Sequence, residues 1–367
     1  MTASVSVPRA TPPGDLARPV RVLVVDDSAY MRHVISKSLN SAAGLTVVAA
    51  ARDGREALEL ISRLAPDVVT LDVEMPRLDG LSTLREIMAT QPLPVVMLSS
   101  LTTQGASETV QALAAGAVDF VAKPTIKANV AAVMDEVIAK VRLAAAARVR
   151  PPARSLAHLP APTTMSTRGP ETTRRLRPGG RDKAVVIGAS TGGPRALHTV
   201  VQGLAASLPA AIVIVQHMPA GFTHSLAERL NALGSLRVKE AEPGDCLEVG
   251  RALLAPGGFH LTIDHNDQVA LNQNPTVHGV RPAIDVTMSS VAQQYGAATI
   301  GVVLTGMGHD GTSGAALIHS AGGYVVAEAA ATCVVWGMPR SVEEAGLADA
   351  VVPLEEVAGA VQRAALA

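Results

Sequence analysis

Ser190 stands in the string Gly188-Ala189-Ser190-Thr191-Gly192-Gly193, which follows the apolar run 184–187 and leads into a helix-like segment. G-x-S-x-G is the strand-to-helix elbow that exposes a nucleophilic hydroxyl, and it also resembles the glycine-rich turns that hold a phosphate at a helix N-terminus. The two chemistries make different demands. A dinucleotide turn needs an acidic residue about 20 positions on, to hold the ribose hydroxyls. None occurs between Gly193 and Ala227, and Glu228 is the first. A Walker-type loop ends in Gly-Lys-Ser/Thr, and Gly192-Gly193-Pro194 supplies no lysine. A nucleophile instead needs a base and a carboxylate. His217 follows the run 211–215 and Asp310 the run 299–304, so Ser190, His217 and Asp310 trail three strand-like runs by 3, 2 and 6 residues. If those strands are parallel neighbours, the three side chains meet over one sheet edge, with His217 as base and Asp310 orienting the imidazole. The glycines of Thr305-Gly306-Met307-Gly308 let backbone N–H groups approach a developing oxyanion. From pattern alone a bland alternative stays open, with Ser190 a small turn residue and His217 a core histidine.

A second constellation lies nearer the N-terminus. Asp26 and Asp27 close the run 21–25, Asp72 closes 67–71, Ser99 closes 94–98, and Lys123-Pro124 follows 119–122. Three carboxylates in one pocket repel one another unless a cation joins them, and Mg²⁺ suits a few carboxylate oxygens plus waters. A lysine beside them pairs with an added phosphoryl group. An aspartate after a strand is often only a helix cap, so the weight rests on all of these features falling in register.

The elements that must position these groups are legible as alternating periods. In the first part, five short apolar runs alternate with helical spacing such as Met31, Ile35 and Leu39, or Val130, Val133, Met134, Val137, Ile138 and Val141. Such alternation predicts a parallel sheet covered by helices on both faces, with chemistry at the carboxyl ends of its strands. The chain of 367 residues suggests two domains plus connecting material. Its net charge of −1 conceals a middle stretch, 144–183, at +7 with six prolines, followed by 184–367 at −7. The expected organisation is a disordered leader (1–19), an α/β domain (20–143), a Pro/Arg-rich linker (144–183) and a second α/β domain with a mainly parallel sheet (184–367). A basic linker without aromatic residues reads as a solvated tether rather than a nucleic-acid contact, and an acidic second domain disfavours DNA. No apolar run is long enough for a membrane helix and no signal peptide opens the chain, so no membrane insertion and a cytoplasmic location are expected. Cys246 and Cys333 match no metal or redox spacing and are expected to be reduced core residues.

The stretches VVDDSAYMR, LDVEMPRLDG, MLSSLT and DFVAKP resemble the response-regulator receiver family over about 120 residues. That resemblance implies a flavodoxin-like fold in which Asp72 accepts a phosphoryl group. It further implies that Asp26, Asp27, Asp72 and the main chain of Glu74 hold Mg²⁺, that Ser99 and Lys123 sense the phosphoryl oxygens, and that Phe120 is an aromatic switch residue. The stretches IGASTGG, VIVQHMPAGFT, RPAID, VLTGMGHDG and CVVWGMPR resemble the catalytic domain of the chemotaxis protein-glutamate methylesterases, the CheB family, through essentially all of 184–367. By that resemblance Ser190 is the nucleophile, His217 the base and Asp310 the third member, with Thr191 and Met307 near the oxyanion site. The order Ser…His…Asp differs from the Ser…Asp…His of α/β-hydrolases, so a fold different from theirs is expected. The implied activity is hydrolysis of glutamate γ-methyl esters, and deamidation of particular glutamines, on the cytoplasmic helices of methyl-accepting chemoreceptors, with no cofactor for the esterase. The implied phosphoryl donor is a chemotaxis histidine kinase. Asp285 is expected to be a buried partner for Arg281. His309 is disfavoured as a base, and His278 and Arg281 are placed in a loop by the substrate groove. Trp336 stands where the family pattern has Phe, a change expected to affect packing only.

Overall fold

The computed structural model describes residues 18–100, 102–123, 130–149, 174–176, 179–180, 182–205, 207–234 and 236–367. Most of the expected leader, Pro124 and most of the expected linker lie outside these residues.

The first half runs Val20–Val25 (β1), Ala29–Ser41 (α1), Leu45–Ala51 (β2), Gly54–Leu64 (α2), Val68–Asp72 (β3), Gly80–Thr90 (α3), Val95–Ser99 (β4), Thr103–Ala115 (α4), Asp119–Ala122 (β5) and Val130–Ala146 (α5). Its five strands form one parallel sheet in the order β2-β1-β3-β4-β5. The central strands β3 and β4 are buried at every residue, as a sheet covered on both faces requires. Four helices start on side-chain caps: Ser28, Asp53, Asp79 and Thr102 each accept an N–H from the first turn. Helix α5 continues to Ala146, three residues into the stretch expected to be linker.

The second half runs Lys183–Ala189 (β6), Gly193–Gly203 (α6), Ala210–Gln216 (β7), Phe222–Asn231 (α7), Arg237–Glu240 (β8), Arg251–Leu254 (β9), His260–Ile263 (β10), Val269–Asn272 (β11), Ile284–Tyr295 (α8), Thr299–Val303 (β12), Thr312–Ser320 (α9), Tyr324–Glu328 (β13), Met338–Glu344 (α10), Ala350–Val352 (β14) and Leu354–Leu366 (α11). Seven strands pair in parallel in the order β14-β13-β12-β6-β7-β9-β8, and β10 and β11 form a separate antiparallel pair. From β6 the chain winds outward through β7, then returns to the other side at β12. The carboxyl end of β6 is therefore the switch point where connections diverge and leave a crevice. The C-terminal end of the basic stretch joins this half: Leu176 is fully buried, its N–H donates to Leu247 O, and Arg174 O accepts the Val249 N–H.

The two halves share a core. Helix α4 packs on α6 and α7, and the Phe120 ring lies 4.5 Å from the Phe222 ring. Thr191 Oγ1 donates to Asp119 Oδ2 at 2.5 Å, the Gly192 N–H donates to Val118 O, and the Arg148 N–H donates to Val334 O. Among the described residues no helix is long and apolar enough to cross a membrane. Phe222 is 1% exposed and joins both cores, so Phe222→Ala is expected to lower unfolding stability by about 3–5 kcal/mol in urea titrations. A loss below about 1 kcal/mol would mean that the surroundings collapse onto the gap.

Candidate functional site

The parallel order puts β12, β6 and β7 side by side, so Asp310, Ser190 and His217 emerge over one edge of the sheet. Ser190 follows β6 directly. Its N–H donates to Thr305 O, and its carbonyl accepts from the Gly193 N–H and from Gln216 Nε2. The turn is tight enough to need its glycines: Gly192 has φ +78°, and a Cβ on Gly193 would lie 2.0 Å from Gln216 Oε1. The expectation that this G-x-S-x-G opens a helix holds, with Pro194 in its first turn.

Asp310 is 2% exposed, and both its oxygens are occupied. Oδ2 accepts from His217 Nε2 at 2.8 Å and from the Ile284 N–H at 2.7 Å, while Oδ1 accepts from the Asp285 and Gly311 N–H groups at 2.8 and 3.0 Å. Burial pushes this carboxyl up, but the hydrogen bond and charge of His217 and the amides of Asp285 and Ile284 hold it below its ordinary value. Because Asp310 takes Nε2, the nitrogen left to act on a hydroxyl is His217 Nδ1. His217 and Ser190 line one cavity of ≈ 390 Å³, although no hydrogen bond joins them. Such bonds are often long before substrate arrives.

Asp285 corrects an expectation. It does not pair with Arg281, whose Nη1 donates to the carbonyls of Gln273 and Asn274. Asp285 Oδ2 instead accepts from His278 Nε2 at 2.9 Å, and Oδ1 accepts the N–H groups of Gly311 and Gly314. It thus fastens the loop that carries Asp310. His309 is exposed and packs edge-on against His278, 4.4 Å between centroids, and is not among the residues lining the cavity with Ser190. Arg281 lines the cavity with Ser190. Met307 is exposed, and its loop touches the serine directly, since a Cβ on Gly306 would lie 2.6 Å from the Ser190 Cβ. Thr191 is turned toward the N-terminal half through its bond to Asp119. Trp336 is 39% exposed, its ring stacked against the Arg340 guanidinium.

Three further residues shape this region. Gln216 holds the Ser190 carbonyl, Glu328 Oε2 accepts the Thr305 N–H at 2.9 Å, and Asp119 grips Thr191. Each is a polar group ending or beginning an apolar strand run, the same signal that marked Asp72.

In the N-terminal half, Asp26, Asp27 and Asp72 offer carboxylate oxygens within 4.8 Å of one another. Lys123 Nζ stands 2.6 Å from Asp72 Oδ2 and 3.0 Å from Asp26 Oδ2. Asp26 is fully buried with its Oδ2 against the Lys123 ammonium, and Asp27 is exposed. A hard, all-oxygen donor set of three clustered carboxylates with an open side at Asp27 fits Mg²⁺ with waters completing its shell. The Asp72 carboxyl is raised to about 6: burial, and then the charge of Asp26, outweigh the lowering by Lys123 and the Glu74 N–H. The charges of Asp72 and Asp26 raise Lys123 against its desolvation. Glu74 N–H donates weakly to Asp72 Oδ1, and its side chain accepts from Ser100 Oγ. The Ser99 hydroxyl is not aimed at Asp72: it accepts from Thr109 Oγ1 and donates to the carbonyls of Ser100 and Gly105. Phe120 is buried between Phe222 and the Lys140 ammonium, which lies 5.1 Å from its ring centre.

Asp72 binds its proton more tightly folded, near 6, than at its ordinary value of 3.8, so it costs stability as pH rises through that window. Asp72→Asn is expected to stabilise the metal-free protein by on the order of 1–3 kcal/mol at pH about 7.5, the gain shrinking toward pH about 4 and narrowing when Mg²⁺ stabilises the wild type. Urea titrations across this range check it, and an Asn variant less stable at neutral pH would contradict it.

The sequence profile of the response regulator receiver domain matches residues 22–135, and that of the CheB methylesterase matches residues 185–361. The chain is 52% identical over 360 residues to a protein-glutamate methylesterase/protein-glutamine glutaminase of Symbiobacterium thermophilum, covering 95% of this chain and 97% of that one. A protein of the same name from Geobacillus kaustophilus is 48% identical over 349 residues, covering 93% and 97%. One from Pyrococcus abyssi is 44% identical over 353 residues, covering 95% and 94%. With a receiver sheet ahead of a parallel sheet that gathers a serine, a histidine and an aspartate at its switch point, and with relatives matched nearly end to end, the chain belongs to the CheB family of protein-glutamate methylesterases/protein-glutamine glutaminases.

Proposed function

We propose that this protein is a serine hydrolase that removes methyl groups from glutamate γ-methyl esters of methyl-accepting chemoreceptors, and deamidates specific receptor glutamines, under control of its receiver. The observation that carries the reading is the 2.8 Å bond between His217 Nε2 and buried Asp310, on the strand end beside Ser190. His217 Nδ1 takes the Ser190 proton as Oγ attacks the side-chain carbonyl. Asp310 supports the imidazolium so formed. In this reading the Met307 and Thr191 amides supply the donors that a carbonyl oxygen needs as it turns into an oxyanion. His217 then returns the proton to the departing methoxide, or to the departing amide nitrogen, and methanol or ammonia leaves. Water, deprotonated by the same imidazole, cleaves the acyl-serine to glutamate and restores Ser190. Both substrates share one acyl intermediate, so one site serves both.

For the receiver, Asp72 is the phosphoryl acceptor, with a chemotaxis histidine kinase as donor on the cytoplasmic side. Asp26, Asp27, Asp72 and the Glu74 carbonyl would hold Mg²⁺, which supplies positive charge to offset the pocket carboxylates and the incoming phosphoryl group. Lys123 is the residue that carries the signal. It is pinned between Asp72 and Asp26, and it directly follows β5, whose Asp119 and Phe120 hold Thr191 and Phe222. A phosphoryl group adds nearly two negative charges. Drawing Lys123 toward them shifts β5 and loosens the wall over Ser190.

Methanol release from methylated receptor membranes tests the reading. Ser190→Ala and His217→Ala are expected to lower kcat by on the order of 10⁵-fold, and Asp310→Asn by on the order of 10⁴-fold. Near wild-type turnover in His217→Ala would overturn the base. Acetyl phosphate with Mg²⁺ is expected to raise the rate of wild type but not of Asp72→Asn. Asp119→Ala is expected to raise the unphosphorylated rate several-fold. An unchanged basal rate in Asp119→Ala would mean that its bond to Thr191 does not restrain the site.

A further inference from the structure

Trp336 is the single tryptophan of a chain that has only three Phe and three Tyr besides, yet it is 39% exposed. Large aromatic rings ordinarily serve a core or a binding surface. Its place is fixed by the site. Trp336 bridges Gly306, the Gly306 N–H donates to Val335 O, and the Val335 N–H donates to Thr305 Oγ1. Gly306 lies against Ser190, and Met307, next in the chain, is 65% exposed. Helix α10 starts from the same loop, with the Met338 N–H on Gly306 O and Ser341 Oγ donating to Gly308 O. From that helix the Arg340 guanidinium lies 5.6 Å from the centre of the Trp336 ring, held by Glu344 at Nε. The receiver forms one wall of the serine cavity at Asp119, Phe120 and Lys140, and Trp336 remains exposed with the receiver docked.

We propose that Trp336, Met307 and Arg340 form a docking platform that holds the glutamate-bearing receptor helix beside Ser190. The inference rests on the esterase function proposed above and adds what determines its affinity for a protein substrate. The occupant follows from charge and continuity. Residues 184–367 carry a net −7, which repels the glutamate carboxylates that a demethylated substrate helix bears. Arg340 is a local cation, stacked on a ring and held by Glu344, with its Nη groups free of that pair to meet a carboxylate. The Trp336 and Met307 faces take the apolar stripe of the helix and the ester methyl.

The test compares full-length protein, phosphorylated with acetyl phosphate and Mg²⁺, on methylated receptor vesicles and on a single-residue glutamate γ-methyl ester. Trp336→Ala is expected to raise KM for the receptor about tenfold with kcat within about twofold, leaving the small ester unaffected. Trp336→Phe is expected to keep the wild-type KM. Arg340→Gln is expected to raise KM about threefold at low salt, a difference that fades at high salt. Receptor vesicles are also expected to shift the emission of the single tryptophan. A wild-type receptor KM in both Trp336→Ala and Arg340→Gln overturns the platform, as does an equal loss on receptor and small ester, which would mark a structural defect. Unchanged tryptophan emission overturns it without any variant. Failure of the wild type to release methanol from either substrate would overturn the esterase reading itself.

Discussion

Everything at the catalytic edge depends on keeping one buried carboxylate ionised. Asp310 has almost no contact with water, a setting that by itself favours the neutral acid. Four donors prevent this: three main-chain N–H groups, two of them at the opening of α8, and the His217 ring. The helix opening supplies partial positive charge where the carboxylate needs it. With both oxygens occupied, Asp310 cannot turn, and so neither can the imidazole. Asp285 repeats the device one residue into α8, tying the amides of Gly311 and Gly314 so that the loop bearing Asp310 has one conformation. The parallel sheet is what makes this possible, because only parallel neighbours bring three strand exits to one edge.

The receiver uses that same edge. It docks on the turn that carries Ser190, through Thr191, Gly192 and the stacked Phe120–Phe222 pair, rather than on a remote face. Asp119 opens β5 and Lys123 directly follows it, so the carboxylate cluster and the serine turn are separated by a single strand. Coupling here needs no long relay. On the proposed reading, a modest shift of that one packed strand is enough to change both the ring contact and the hydrogen bond that close the cavity.

Much of this was legible in the sequence, because strand-end chemistry is local. An apolar run followed by a serine, a histidine or an aspartate places that residue within a few ångströms of the sheet edge whatever the rest of the chain does. The convergence of Ser190, His217 and Asp310 therefore followed from their spacing once the strands were parallel neighbours, and so did the Asp26, Asp72 and Lys123 cluster. What was not legible is pairing set by backbone path. Asp285 and Arg281 are four residues apart and of opposite charge, yet Arg281 is turned toward the carbonyls of Gln273 and Asn274, and Asp285 caps α9. Ser99 closes its strand as expected, but its hydroxyl is taken by the first turn of α4. The exposure of Trp336 and the grip of Asp119 on Thr191 depend on contacts between distant segments, which no local pattern encodes.

The claim on which the account stands is that Ser190 is the nucleophile and His217 its base. Treating the phosphorylated protein with a serine-directed fluorophosphonate, then mapping the adduct by peptide mass spectrometry, tests it most directly. The account predicts one phosphonyl adduct, on Ser190, formed far more slowly in His217→Ala and absent from Ser190→Ala. An adduct on another residue, or labelling of Ser190 at an undiminished rate without His217, would contradict it.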